Sequence, residues 1–203
     1  YIDVLERSLY NGVISGVSMD GKLFFYPNPL ESDGRHQRSP WFGCACCPSN
    51  VCRFMASIPG YAYAHRNSEV YVNLFVSGEA EVPIDDAGEA KVVLRQQTNY
   101  PWDGTVKIEL AAAKSGKQAA SPGKEWTLCV RIPGWARNEP VPSDLYCFAE
   151  NDPAAPELFV NGEKQAIAVE RGYARVTRQW KPDDTVELRL PMPIRRVLAH
   201  DKV

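Results

Sequence analysis

From about residue 61 onward the chain is a succession of short β-prone runs separated by turn residues, and this pattern restricts the fold more than any other feature. The runs "EVYVNLFVSGEAEVPI", "KVVLRQQTNY", "DGTVKIELAAA", "EWTLCVRIPGWA", "ELFVNGEKQ", "GYARVTRQW" and "DTVELRLPMPI" are rich in β-branched and aromatic residues. In the fourth, Trp126, Leu128, Val130 and Ile132 alternate with Thr127, Cys129 and Arg131, so one set faces one way and the other set the opposite way. Asn161-Gly162 supplies a hairpin signal. Many short strands with turns between them and almost no helix predict an antiparallel β-sandwich over residues 65–203. "SGKQAASPGKE" and "ARNEPVPSDLYCFAENDPAAPE" read as long polar connections.

Residues 1–64 have a different texture. Ile2, Leu5, Leu9 and Val13 keep helical spacing and predict a helix over 1–11, with Asn11-Gly12 as its stop. "KLFFYPNPL" is a short extended run that Pro27 and Pro29 break, and "ESDGRHQRSP" is a polar loop. A second helix is predicted from Pro48 to about Ile58, with Val51, Phe54, Met55 and Ile58 on one face and Pro59-Gly60 at its end. Proline suits the first helical position, which places Cys47 at the N-cap and Cys46 just before it. Two isolated helices cannot bury their apolar faces alone. They pack on the sandwich or belong to a helical domain upstream; left uncovered, they predict self-association.

Composition narrows the function classes. The 203 residues are 44% hydrophobic and 24% charged with a formal net charge of -2, and no basic run appears, so no nucleic-acid surface is expected. No window approaches the roughly 18 apolar residues of a membrane span. The chain starts "YIDVLERSLY", without Met and already inside an amphipathic pattern. It therefore reads as a piece of a longer protein, and the missing signal peptide says little about compartment.

The chemistry concentrates in "WFGCACCPSNVCRF". Cys44, Cys46, Cys47 and Cys52 fall within nine positions, whereas Cys129 and Cys147 stand apart. A disulfide scaffold spreads its cysteines; crowding suits a metal or thiolate site. A disulfide between neighbours is disfavoured, since adjacent Cα atoms are only about 3.8 Å apart. A helix N-terminus favours the thiolate form, which is both nucleophile and metal ligand. Zinc takes four ligands, of which this cluster could supply two or three, and neither His65 nor Cys129 is placed by spacing to complete the set. A purely structural metal site and a chance pair of buried thiols both stay open. Cys52, Cys129 and Cys147 read as packing residues. Glu31, Asp33 and Asp103 read as solvated loop carboxylates, and His65 and His200 lack a paired motif. Trp41, Trp102 and Trp135 read as packing residues in preference to sugar platforms.

Taken together, "YIDVLERSLYNGVISGVSMDGKLFFYPNPLES", "WFGCACCPSNVCRF", "TNYPWDGTVKIEL" and "RIPGWA" closely resemble glycoside hydrolase family 127, the β-L-arabinofuranosidase-like enzymes, over nearly the whole chain. The resemblance implies an (α/α)-barrel catalytic domain followed by β-sandwich domains. Residues 1–64 would be the last barrel elements, and the fold would be mainly β: a sandwich preceded by two helices left over from that barrel. It also implies retaining glycoside hydrolysis, with Cys46 as nucleophile and zinc ligand, Cys47 as a second zinc ligand, and Tyr26 lining the sugar site. The substrate would be a plant-type oligosaccharide or glycoside. A glutamate and a cysteine that complete the zinc site, and the acid/base glutamate, would lie upstream, leaving this stretch inactive alone. His36 matches no family role. The competing reading is a non-catalytic module, a sandwich that binds carbohydrate or buttresses a neighbour, with a structural zinc-thiolate site.

Overall fold

The computed structural model describes residues 1–27, 29, 31–44, 46–112, 125–151 and 154–203. The expected polar connection over 115–125 lies outside the described residues, apart from Glu125. The chain forms two compact units, Tyr1–Gly60 and Tyr61–Val203.

The first unit opens with α1 (Ile2–Ser8). The helical path does not stop at Asn11-Gly12. It widens into a π turn over Leu9–Val13 and tightens into a 3₁₀ turn over Ile14–Gly16. The Ser15 hydroxyl donates to the Asn11 carbonyl, which helps satisfy a group that the change of pitch frees. The chain then turns back on itself. Phe24 pairs antiparallel with Val17 on one side and with Ser39 on the other. This small ribbon sends Phe24 and Tyr26 to one side and Phe25 to the other. α2 (Cys46–Ser57) follows and contains no buried residue. It starts two residues earlier than the sequence predicts. Any position in the first turn tolerates proline, because none of those N–H groups has an intrahelical acceptor, so Pro48 fixes the helix start only to within a turn. A further helical turn, α3 (Pro59–Ala62), leads into the second unit.

In the second unit the strands are β1 (Tyr63–Arg66), β2 (Glu69–Val72), β3 (Gly78–Pro83), β4 (Lys91–Thr98), β5 (Thr105–Ala112), β6 (Trp126–Arg131) and β7 (Tyr146–Phe148). β8 (Glu157–Val160), β9 (Glu163–Gln165), β10 (Val169–Glu170), β11 (Tyr173–Arg178), β12 (Thr185–Arg189) and β13 (Val197–Ala199) complete the set. One sheet has the order β1-β2-β6-β11-β10 and the other β3-β4-β5-β12-β8-β9; β13 and β7 form a separate ribbon. Among the described residues every pairing is antiparallel except β2 with β6. A single apolar cluster takes Val70, Val72, Leu128, Val130 and Ala174 from the first sheet and Leu94, Ile108, Leu158, Val186 and Leu188 from the second. Each of the Val, Leu and Ile side chains, fully buried, stabilises the fold by roughly 1.5–3 kcal/mol. The unit is a β-sandwich.

The run 69–84, continuous in the sequence, is divided between the two sheets. β2 ends at Val72 and β3 begins at Gly78, and the crossing residues Asn73, Leu74 and Phe75 are buried. Their backbone groups find partners far away in sequence. Arg131 Nε donates to the Asn73 carbonyl at 2.6 Å and Gln96 Nε2 to the Leu74 carbonyl at 3.2 Å. Tyr173 donates its hydroxyl to Asn73 Oδ1. Without these bonds a buried crossing would leave polar groups unpaired. β6 shows the alternation that its sequence predicts, yet all six of its residues are buried. Its second face is covered by cross-strand neighbours, Tyr71 and Arg175 flanking Cys129 and Thr177 bonding Thr127.

Candidate functional site

Cys46 and Cys47 occupy the first turn of α2, with Cys46 exposed and Cys47 half-buried. Two local bonds pin this turn. Ser49 Oγ and Asn50 Nδ2 both donate to the Cys46 carbonyl, at 3.0 and 2.8 Å. The two sulfurs lie 3.9 Å apart. Two thiolates bound to one tetrahedral zinc at about 2.3 Å each would sit about 3.8 Å apart. The pair therefore fits two corners of such a site without rearrangement. Among the described residues no group of three or more His, Cys, Asp or Glu side chains is placed to hold a metal ion.

Tyr26 stands beside these sulfurs. Its phenol is pushed above its ordinary pKa by negative charge at Cys44 first and at Cys46 next, with a hydrogen bond to Cys44 and a smaller contribution from Cys47. Cys44 is thus the cysteine that influences the phenol most, with Cys46 and Cys47 acting through charge. Phe42, two residues before Cys44, ties the wall together, with its ring 5.7 Å from that of Tyr26 and 5.1 Å, edge-on, from that of Phe24. The first unit thus brings Tyr26, Cys46 and Cys47 into one neighbourhood and adds Cys44 and Phe42. Nothing in the spacing of the aromatic residues singles out Phe42; its role emerges only when the ribbon folds.

The remaining candidates lie elsewhere. Cys52 is exposed, contrary to the expectation of a packed helix residue, on a helix that contains no buried residue. Cys147 is exposed on β7. Cys129 is fully buried, and burial pushes its thiol up to about 11, so it is held as a neutral packing group. Asp33 is a turn residue. Hydrogen bonds from the Arg35 side chain and backbone hold its carboxyl below the usual value. Asp103 Oδ1 accepts from the Thr105 N–H, and Glu31 is exposed. His65 lies exposed on β1, and His200 Nδ1 accepts from the Lys202 N–H. Trp41 and Trp102 are exposed, against the packing expected of them, while Trp135 packs on the sandwich core.

Residues 1–60 match the family model described as the β-L-arabinofuranosidase, GH127 catalytic domain, and residues 69–192 match that of the GH127 middle domain. The chain belongs to glycoside hydrolase family 127. It is 32% identical over its whole length to a non-reducing end β-L-arabinofuranosidase of Bifidobacterium longum subsp. longum, of which it spans 29%. Among solved structures it is similar over its full length to a GH127 β-arabinofuranosidase, with 48% identity, a TM-score of 0.88 and 30% of that chain covered. A GH127 β-L-arabinofuranosidase from Geobacillus stearothermophilus T6 matches at 39% identity and a TM-score of 0.79 over the whole of this chain and 29% of its own. The chain thus spans under a third of the length of these relatives.

Proposed function

We propose that this chain carries the nucleophile side of a retaining, β-L-arabinofuranosidase-like reaction centre, with Cys46 as the attacking thiolate and Tyr26 lining the sugar site. The substrate class is a plant-type oligosaccharide or glycoside. The Cys46 sulfur attacks the anomeric carbon, the C–O bond to the leaving group breaks, and a carboxylic acid outside these 203 residues protonates the departing oxygen. Water, deprotonated by the same carboxylate, then displaces the sulfur from the opposite face of the sugar, and the two inversions together retain configuration. A zinc ion held by Cys46 and Cys47, with two further ligands outside the 203 residues, would keep the attacking sulfur ionised. On this reading the 203 residues alone are inactive.

The observation that carries the proposal is the 3.9 Å sulfur pair in the first turn of α2, whose charge is felt by the Tyr26 phenol. The test uses the longer polypeptide, extended to the length of the relatives. Cys46→Ser should lower kcat by about three orders of magnitude or more, and Cys47→Ser should lower bound zinc per chain. Unchanged arabinoside cleavage by Cys46→Ser would sink the reading. Tight oligosaccharide binding by the 203-residue chain, with no thiol dependence of cleavage in the longer form, would support a non-catalytic module instead.

A further inference from the structure

Tyr26 sits where the backbone gives it little support. The ribbon holds Phe24 and Phe25 through bonds to Ser39 and Gly16, but the next residue, Pro27, has no N–H to offer. Tyr26 must nevertheless keep its phenol against the thiols while half exposed. His36, which the sequence leaves without a role, touches both of its neighbours. The imidazole stacks on the Phe25 ring, with centroids 4.6 Å apart and planes inclined by 14°. Its Nε2 lies 3.0 Å from the Pro27 carbonyl, to which it donates. The Phe25 ring also meets the Arg38 guanidinium, whose Cζ is 4.4 Å from the ring centroid, and Arg38 donates onward to the Ser15 carbonyl at the end of the helical segment. Phe25, and with it the residue beside the phenol, is therefore tied to the 3₁₀ turn and to the 31–40 loop together.

We propose that His36 is a positioning residue: it clamps Phe25 and Pro27 on either side of Tyr26 and so holds the Tyr26 ring against Phe42, two residues before Cys44. Neither contact needs a particular charge on the ring. The stack requires a flat surface and the carbonyl requires one N–H, which both the Nε2-protonated neutral ring and the imidazolium provide. The consequence for catalysis rests on the reading of Cys46 as nucleophile; the clamp itself does not. A displaced phenol would leave the sugar misaligned with the sulfur, and misplacement on the ångström scale can cost up to about a hundredfold in rate.

The test labels the nine tyrosines of the 203-residue chain with 3-fluorotyrosine and follows their ¹⁹F resonances, that of Tyr26 being identified by its loss in Tyr26→Phe. Cys44→Ser should move the Tyr26 resonance, which marks the thiol contact. His36→Ala should carry it most of the way to the unfolded-chain position while the other eight stay in place. His36→Gln, whose amide nitrogen can reach the same carbonyl, should restore most of the displacement. In the longer polypeptide His36→Ala should lower kcat/KM about tenfold or more with bound zinc unchanged, and His36→Gln should recover part of that loss. A Tyr26 resonance unmoved by His36→Ala, or a His36→Gln spectrum no different from that of His36→Ala, would overturn the clamp whatever Cys46 does. Should Cys46→Ser stay active while the resonances behave as stated, the nucleophile reading fails and the clamp stands.

Discussion

At Gly104 the sandwich leaves no room for a side chain. A Cβ there would lie 2.0 Å from the Leu190 carbonyl oxygen, and that backbone cannot retreat because the Leu190 N–H bonds the Gly104 carbonyl at 2.9 Å. Gly104→Ala should destabilise the chain by about 1–3 kcal/mol, measured by chemical denaturation. Glu69 gives a second residue-scale prediction. Its carboxyl accepts from Arg175 and from the Tyr71 hydroxyl, and the Arg175 bond is the larger cause of a pKa below the usual carboxylate value. A group lowered in the folded state adds stability above its unfolded value, about 4.3, and loses it as pH falls through the folded value. Glu69→Gln should therefore cost about 1 kcal/mol near neutrality and flatten the acid limb of the stability curve below about pH 4; an unaltered acid limb would contradict this. Closeness of side chains is readable from sequence where a local motif carries it, as with the neighbouring sulfurs of Cys46 and Cys47. Burial is not, because it depends on what covers a side chain. Cys52 and Trp41 are exposed for that reason, while Cys129 is enclosed by strands 58 and 46 residues away, at Tyr71 and Arg175.

At the scale of elements, the clearest sequence signal was Asn161-Gly162. Both residues have positive φ, 51° and 81°, as a tight two-residue hairpin between β8 and β9 demands. Asn161 also accepts from the Thr185 N–H and donates to Asp184, which joins the turn to β12. Gly162→Ala should cost about 1 kcal/mol through backbone strain alone, since no neighbour lies within 4 Å of the added methyl; a melting curve superimposable on wild type would contradict that. The division of 69–84 between two sheets was not readable. Its composition is continuous, and the break depends on partners supplied by Arg131 and Gln96. Arg131→Met should therefore leave the Asn73 carbonyl short of a donor and destabilise the sandwich by about 1–3 kcal/mol, by thermal or denaturant melting. The starts and stops of the helices were similarly blurred: a first-turn proline and an interior Asn-Gly both admit more than one boundary.

For the whole molecule, the alternating runs after residue 61 were enough to specify a sandwich, because each half-apolar strand needs a second sheet against it. The parallel β2–β6 pair was hidden, since it joins segments more than fifty residues apart. In the first unit Val4, Ile14 and Met55 are about half exposed. We expect the 203-residue chain to self-associate through these faces, with the sedimentation coefficient rising with concentration and the rise weakened by Met55→Lys. A concentration-independent monomer would count against it. The central claim concerns one cysteine sulfur among six. Incubate the longer polypeptide with an activated, slowly released pentofuranoside, digest it, and map the adduct by mass spectrometry. The account predicts a single pentosyl group on Cys46; a label on Cys44, on Cys47 or on a carboxylate would contradict it.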